Sequence, residues 1–431
     1  MAKPNPNKNK NQGGRVNYSK QNRQKEKAIA TDSVGAKVVS PTINSLSLAN
    51  NELNITLTAY DTWFFRESRP HDAVGASELS SLFPPPIRTV AGALRTLIGD
   101  QLKINWQTLQ SATQPDFNFV SELGDAQGLG ELSLNGPWIN FDDQRLYPAP
   151  LYLMKNEHEL KRLAPGSIVR CDLGSVRLPA LPKDSKGFKN LEQRWITAEG
   201  MRRCLEGHVP TDKIYTSDDL FSHEARLGIA RDNATRSVED GKLYQTQHLR
   251  LKEKVSVGLL VKNLSSVAKD ILTQPNTLLR LGGEGRMAAL KAQEQAQAFP
   301  FVNAKANAKV ERFVLHFLTP ADFEGAMFPK DFEKTTFDGA TVWQGVINDI
   351  GLRIISAVVG KVHREGGWDM QKHQPSPVKS YIPAGSAWFC RAVDSELTWE
   401  TLNTQLHGHC IGVDSAYGRG QLLLGTWQDH K

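Results

Sequence analysis

Cysteine is scarce in this chain of 431 residues: Cys171, Cys204, Cys390 and Cys410 are the only four. None stands at the short spacing of a zinc knuckle or of a small disulfide framework. A reducing compartment, the cytoplasm, is therefore expected, with neither metal nor cofactor. No apolar run approaches the ~18 residues of a membrane span, and no apolar segment follows the basic start, so no secretory leader is expected. No glycine cluster is followed by Gly-Lys-Ser/Thr, which excludes a phosphate-cradling Walker loop. What remains is a globular chain long enough for two domains, with 39% apolar residues to build their cores.

The charge is unevenly placed. The net charge is +6, but the first thirty residues hold eight Lys and Arg against the single acid Glu26, which is +7 and leaves −1 for everything after. The body is nearly neutral. A tail rich in Asn, Lys, Gln and Gly cannot bury enough apolar surface to fold, so residues 1–50 are expected to be a disordered basic tail, either a solubilising leader or a weak, salt-sensitive attractor for RNA.

Beyond the tail, ELNITLTAY from Glu52 alternates as a half-buried strand does, and Asp61 to Pro70 continues it into an exit loop. FPPP at Phe83 to Pro86 then stiffens the backbone ahead of a helix read from Thr89, its N-cap, to Leu102. Val90, Leu94, Leu97 and Ile98 make the apolar stripe of that helix. Arg88 and Arg95 lie off it, either as a phosphate seat at the helix start or as an ordinary solvated face; Arg95 could equally be buried against a carboxylate such as Asp61. Residues 103–305 mix short apolar runs with Pro and Gly breaks, and Ala288 to Ala298, AALKAQEQAQA, reads as a second helical stretch.

A fresh strand, Lys309 to Leu318, marks the start of a second domain. A helix-compatible Ala321 to Phe332 follows, then strand candidates Leu352 to Lys361, Ser386 to Ala392, Cys410 to Asp414 and Leu422 to Trp427. Strands with few helices predict an α+β class with antiparallel sheets and helices on one face.

Four segments carry candidate chemistry. EARLGIARDNATRSVEDGKLYQTQHLRL, from Glu224, reads as a loop interleaving Arg226, Arg231, Arg236 and Arg250 with small and hydroxyl residues and Tyr244. Guanidiniums there would fork onto phosphates and Tyr244 would stack a base; internal salt bridges to Glu224, Asp232, Glu239 and Asp240 are the competing reading. LGGEGR at Leu281 to Arg286 and YGRG at Tyr417 to Gly420 could bring backbone N–H groups to an anion. HGHC at His407 to Cys410 has metal-capable side chains, but no second cluster completes a tetrahedral site. His71 or His223, the latter beside Glu224, would be needed for acid–base RNA cleavage.

In this order, DTWFFR with Pro70, FPPP with GALR, the Glu224 block, LGGEGR, Leu318-Thr319-Pro320, IPAGSAWF and YGRG together resemble the third subunit of the type III-B CRISPR effector, the Cmr complex, in the RAMP superfamily. The resemblance runs from about residue 53 to the C-terminus. It implies tandem ferredoxin-like (RRM-related) RAMP domains with insertions, here 51–305 and 306–431. It further implies a non-catalytic subunit that binds the five-prime handle of the crRNA and docks the large polymerase/cyclase subunit and the first backbone subunit. A RAMP-type endoribonuclease processing precursor crRNA is the alternative. The RNA-binding residues expected on this footing are Arg66, Arg88, Arg226, Arg231, Arg236, Tyr244, Gly283, Arg286, Tyr417, Gly418, Arg419 and Gly420.

Overall fold

Two six-stranded antiparallel sheets organise the chain. The computed structural model describes residues 45–67, 78–107, 113–114, 117–125, 128–183, 185–231, 234–369 and 374–427. The tail up to residue 44, Pro70, His71 and Asp232 lie outside these residues, as do the side chains of Arg231, Glu239 and Asp240. None of the described helices is long and apolar enough to cross a membrane.

The first sheet runs Thr277–Arg280, Met287–Gln293, Leu53–Ala59, Val255–Lys262, Ser133–Phe141, Gln144–Arg145. Strand Leu53–Ala59 sits inside it, Leu57 facing Val257 on one side and Leu290 on the other. Its alternation is what buries Leu53, Ile55 and Leu57 completely. Helix Ile87–Gln101 packs Val90, Leu94 and Ile98 into the same core. That helix starts two residues before the expected Thr89 and has no side-chain cap: Pro86 precedes it in an extended conformation, and its carbonyl accepts from Thr89 and Val90 N–H. The proline sequence itself sets the entry angle, so no hydroxyl cap is required.

AALKAQEQAQA is not helical. Met287–Gln293 is a strand paired with Leu53–Ala59 and Thr277–Arg280, and Gln295–Gln297 pairs with Ser45–Ser47. Good helix formers here gain more from filling the place beside strand Leu53–Ala59 than from local propensity; Ala288 and Leu290 point inward while Lys291 is exposed.

The second sheet runs Glu333–Phe337, Ala340–Ile347, Ile350–Val358, Ala387–Ala392, Arg312–Phe317, Leu422–Gly425. One face packs on helix Trp399–Leu406 through Phe313, Leu315, Cys390 and Leu402. The expected helix over Ala321 to Phe332 is a loop instead. Pro329 interrupts it, Gly325 has φ +84°, and Phe323 and Phe328 turn in against Trp388, each with ring centroids 5.5 Å away. Cys410 to Asp414 is not a strand either. Gly412 at φ +88° breaks it, leaving single bridges from Cys410 to Gln421 and from Val413 to Asp322.

The other face of the second sheet is covered by the middle of the chain. Tyr147, Tyr152, Leu153, Met201 and Leu205 form a third core with Val314, Phe389, Leu423 and Trp427. Residues 147–205 thus precede much of the first sheet in sequence but complete the second.

Candidate nucleic-acid interface

The Glu224 block is a long hairpin, Phe221–Arg231 with Val238–Leu251, and not the loop its composition suggested. Polar and apolar residues alternate with period two, which an antiparallel pair uses to separate two faces. Leu227 and Ile229 stand on one face, 72% and 51% exposed. Gly228 lies opposite Tyr244, and a Cβ there would sit 2.2 Å from the tyrosine ring, so glycine is what lets Tyr244 lie across the strand.

At the base of the hairpin three elements converge: the exit of Leu53–Ala59, the inner ends of both hairpin strands, and the glycine turn joining Thr277–Arg280 to Met287–Gln293. Trp63 and Leu249 exchange backbone hydrogen bonds of 2.9 and 2.7 Å, which fixes the exit loop to the hairpin. Gly283 N–H donates to the Phe64 carbonyl at 2.8 Å, and Gly282, at φ +93°, would drive a Cβ to 2.7 Å from that oxygen. The glycines therefore serve a close backbone approach and a left-handed turn.

Convergence brings Arg226, Arg250 and Arg286 around Asp61. Their nitrogens lie 3.2, 3.0 and 3.3 Å from its carboxylate. Glu224 takes Arg226 and Arg250 at 2.6 Å each, and Glu284 adds a longer contact of 3.9 Å to Arg286. Slight burial pushes the Asp61 carboxyl up, but hydrogen bonds from Arg226 and Arg250 outweigh it and hold it below the usual range; the same two guanidiniums depress Glu224. Three cations and three carboxylates make a balanced network, so Asp61 is the partner of this cluster and not of Arg95. Arg95 is partly buried near Asp125, and desolvation lowers its pKa.

His248, which the sequence reading passed over, sits at the centre with its side chain fully buried. Its Nε2 lies 3.0 Å from Glu284 and its Nδ1 3.2 Å from the Thr62 hydroxyl, and the ring stacks on Phe64 at 5.2 Å. An ionised Glu284 can only accept, so Nε2 carries the proton and Nδ1 accepts from Thr62. Desolvation, then the Arg286 charge, pushes its pKa below the ordinary value. Thr246 and His248 are buried at an i, i+2 spacing, the one signal that could have flagged it.

The remaining expected residues divide. Arg66 and Arg236 are exposed, and Gly283 lies on the exposed side of its turn. Arg88 is tied to Asp414 at 2.8 Å and lies over the Tyr417 ring at 4.4 Å. Asp414 also takes Lys379 at 3.0 Å, so the helix start is fastened to the terminal loop. The YGRG loop is internal. Tyr417 and Arg419 are 5% and 2% exposed, Gly418 packs on the Leu134 carbonyl and Gly420 on that of Ile411. Arg419 is held by both oxygens of the buried Glu365 and lies over the Tyr381 ring. Arg419, Tyr417, Gly418 and Gly420, expected among the RNA-binding residues, thus lie inside this chain, where charge and glycine content serve a brace that reaches the first core.

His223 is exposed on the hairpin with its ring against Phe221. Among the described residues no group of three His, Cys, Asp or Glu side chains is arranged to hold a metal ion.

The sequence matches the family model described as CRISPR-associated protein (Cas_Cmr3) over residues 55–427. No curated protein matches it. Among solved structures, a chain of the type III-B Cmr-beta complex bound to cognate target RNA and AMPPnP is 16% identical with a TM-score of 0.43, covering 78% of this chain and 86% of that one. A chain of the Csm3-Csm4 subcomplex of the type III-A interference complex is 10% identical with a TM-score of 0.37, covering 88% and 100%. A chain of the Csm1-Csm4 cassette with AMPPNP is 12% identical with a TM-score of 0.28, covering 78% and 86%.

Proposed function

This chain belongs to the CRISPR-associated Cas_Cmr3 family, the third-subunit family of the type III-B effector, and from that membership we propose that it is a non-catalytic RNA-binding subunit. It binds the five-prime handle of the crRNA and docks the large polymerase/cyclase subunit and the first backbone subunit in the cytoplasm. The match across residues 55–427 carries the reading. We read the two sheets as ferredoxin-like units. In the first, Leu53–Ala59 and Val255–Lys262 are adjacent at the centre, flanked by Met287–Gln293 and Ser133–Phe141; in the second, Arg312–Phe317 and Ala387–Ala392 are adjacent, flanked by Leu422–Gly425 and Ile350–Val358, and the helix that would follow Arg312–Phe317 is replaced by the aromatic loop.

The cluster around Asp61 supports the RNA contact in a specific way. Carboxylates hold Arg226, Arg250 and Arg286 in fixed directions, and a phosphate takes over part of that hydrogen bonding when RNA binds. Opposite effects are then expected from the two halves of the network. Arg226→Ala weakens binding of a handle oligonucleotide and lowers its salt slope by about one, whereas Asp61→Asn, which withdraws the competing carboxylate, tightens it. Filter binding across a salt series measures both. Equal, salt-independent losses for the two variants would assign the cluster to architecture alone. Incubated with repeat RNA, the chain is expected to leave it intact; cleavage abolished by His223→Ala would reverse the non-catalytic assignment in favour of a precursor-processing endoribonuclease.

A further inference from the structure

The HGHC segment, which the functional reading leaves unused, lines a cavity of about 490 Å³ between strands of the first sheet and the segment that follows helix Trp399–Leu406. Asn135 from strand Ser133–Phe141 and Lys262 from the end of Val255–Lys262 form one side. His407, His409 and Ser415 form the other, with Phe299 as an aromatic wall. The volume falls in the ~300–1,000 Å³ range of small-molecule sites. No Asp or Glu belongs to the lining, which is otherwise rich in donors.

His407 supplies the most specific observation. The Leu424 backbone N–H donates to its Nδ1 at 3.3 Å, so that nitrogen is unprotonated and Nε2 carries the hydrogen. That Nε2–H is buried with no hydrogen-bond partner among the described residues. A buried donor of this kind calls for an acceptor. The ring stays neutral, since burial and then the nearby His409 lower its pKa to about 4, so it acts as a donor of fixed direction and not as a proton source. Lys262 adds the cation. It is ion-paired with Glu52 at 3.9 Å, a long contact that a phosphate approaching at hydrogen-bond distance can share. The Asn135 amide donates one hydrogen to Cys410 Sγ at 3.4 Å and keeps a second. Exposed His409 and Ser415 mark the open rim.

We propose that this cavity binds a small phosphorylated ligand, of mononucleotide size or less, with its phosphate on Lys262 and the His407 Nε2–H and any ring against Phe299. A preformed set of donors without an acid matches the three acceptor oxygens of a phosphoryl group and selects against cations. The site is separate from the Asp61 cluster and does not depend on handle binding.

Titration of the full chain with AMP and, separately, with inorganic phosphate tests this by calorimetry, with thermal unfolding as a second readout, because a ligand of the folded state raises its melting temperature. Saturable AMP binding is expected. Lys262→Gln should weaken it about tenfold or more, the loss of one charged hydrogen bond, and Ser415→Trp should block it from the rim, while Lys309→Gln, a change at a remote exposed pair, leaves it unaltered. Absence of saturable binding by both probes would overturn the proposal, as would AMP binding insensitive to Lys262→Gln and Ser415→Trp in variants that melt like the parent. Binding confined to RNA oligonucleotides would also overturn it.

Discussion

Replacing Arg419 by methionine tests how the terminal loop holds the molecule together. Arg419 and Glu365 are 2% and 6% exposed, and the guanidinium engages both carboxylate oxygens. Burial alone would push Glu365 up, but His363 and Arg419 outweigh it and hold its pKa at about 2 in place of 4.5. At about 1.4 kcal/mol per pKa unit, that depression corresponds to about 3 kcal/mol of stability at neutral pH. Because the folded pKa lies below the unfolded one, this stability is complete above pH ~4.5 and is lost as pH falls towards 2. Arg419→Met leaves a buried carboxylate with only His363, and the expected cost is about 3–5 kcal/mol. Urea unfolding at pH 7 measures it. The double variant Arg419→Met/Glu365→Gln should recover part of the loss, since the stranded charge is gone. A cost below about 1 kcal/mol, as for an exposed pair, or a double variant no better than the single, would refute the reasoning.

Acid sensitivity should also come from histidines. His316 and His407 are held near pKa 3 and 4 by burial, and His248 is lowered as well, while each takes up its proton near 6.5 when unfolded. The unfolded chain therefore binds more protons below pH 6.5, and stability falls on acidification; His316→Leu should flatten the slope between pH 4 and 6 by about 1.4 kcal/mol per pH unit, read from denaturant melts. Gly420→Ala places a Cβ 2.2 Å from the Ile411 carbonyl at φ +65°, and a loss of about 1–3 kcal/mol is expected in the same assay. Leu227→Ser with Ile229→Ser on the exposed hairpin face should leave unfolding of the chain within about 0.5 kcal/mol of the parent. In pull-down, a drop in association with the other effector subunits would assign that face to docking.

Local periodicity made part of this protein legible in its residues. The alternation from Leu53, the Val90–Leu94–Ile98 stripe and the restart expected from Lys309, a strand over Arg312–Phe317, each became the expected element, because period two and period 3.6 are imposed by a neighbouring core. The order of motifs from DTWFFR to YGRG pointed to the family that the match over residues 55–427 then showed. Misread segments share one cause. AALKAQEQAQA has helical composition and strand placement, and the Glu224 block has loop composition and hairpin pairing. In both, a partner strand distant in sequence outweighs intrinsic preferences that span about a kcal/mol per residue.

Charge placement along the chain was fixed by sequence alone: a basic start of +7 and a body near neutrality. Which cation meets which anion was not. Asp61 gathers Arg226 and Arg286 across 165 and 225 residues, and Arg88 reaches Asp414 across 326. No window of sequence contains such a pair, so only folding decided that Arg419 is an internal brace, that His248 lies inside the arginine cluster, and that residues 147–205 complete the second sheet. Side-chain type and spacing set what each segment can do locally; burial and distance, which exist only in the folded chain, select among those options.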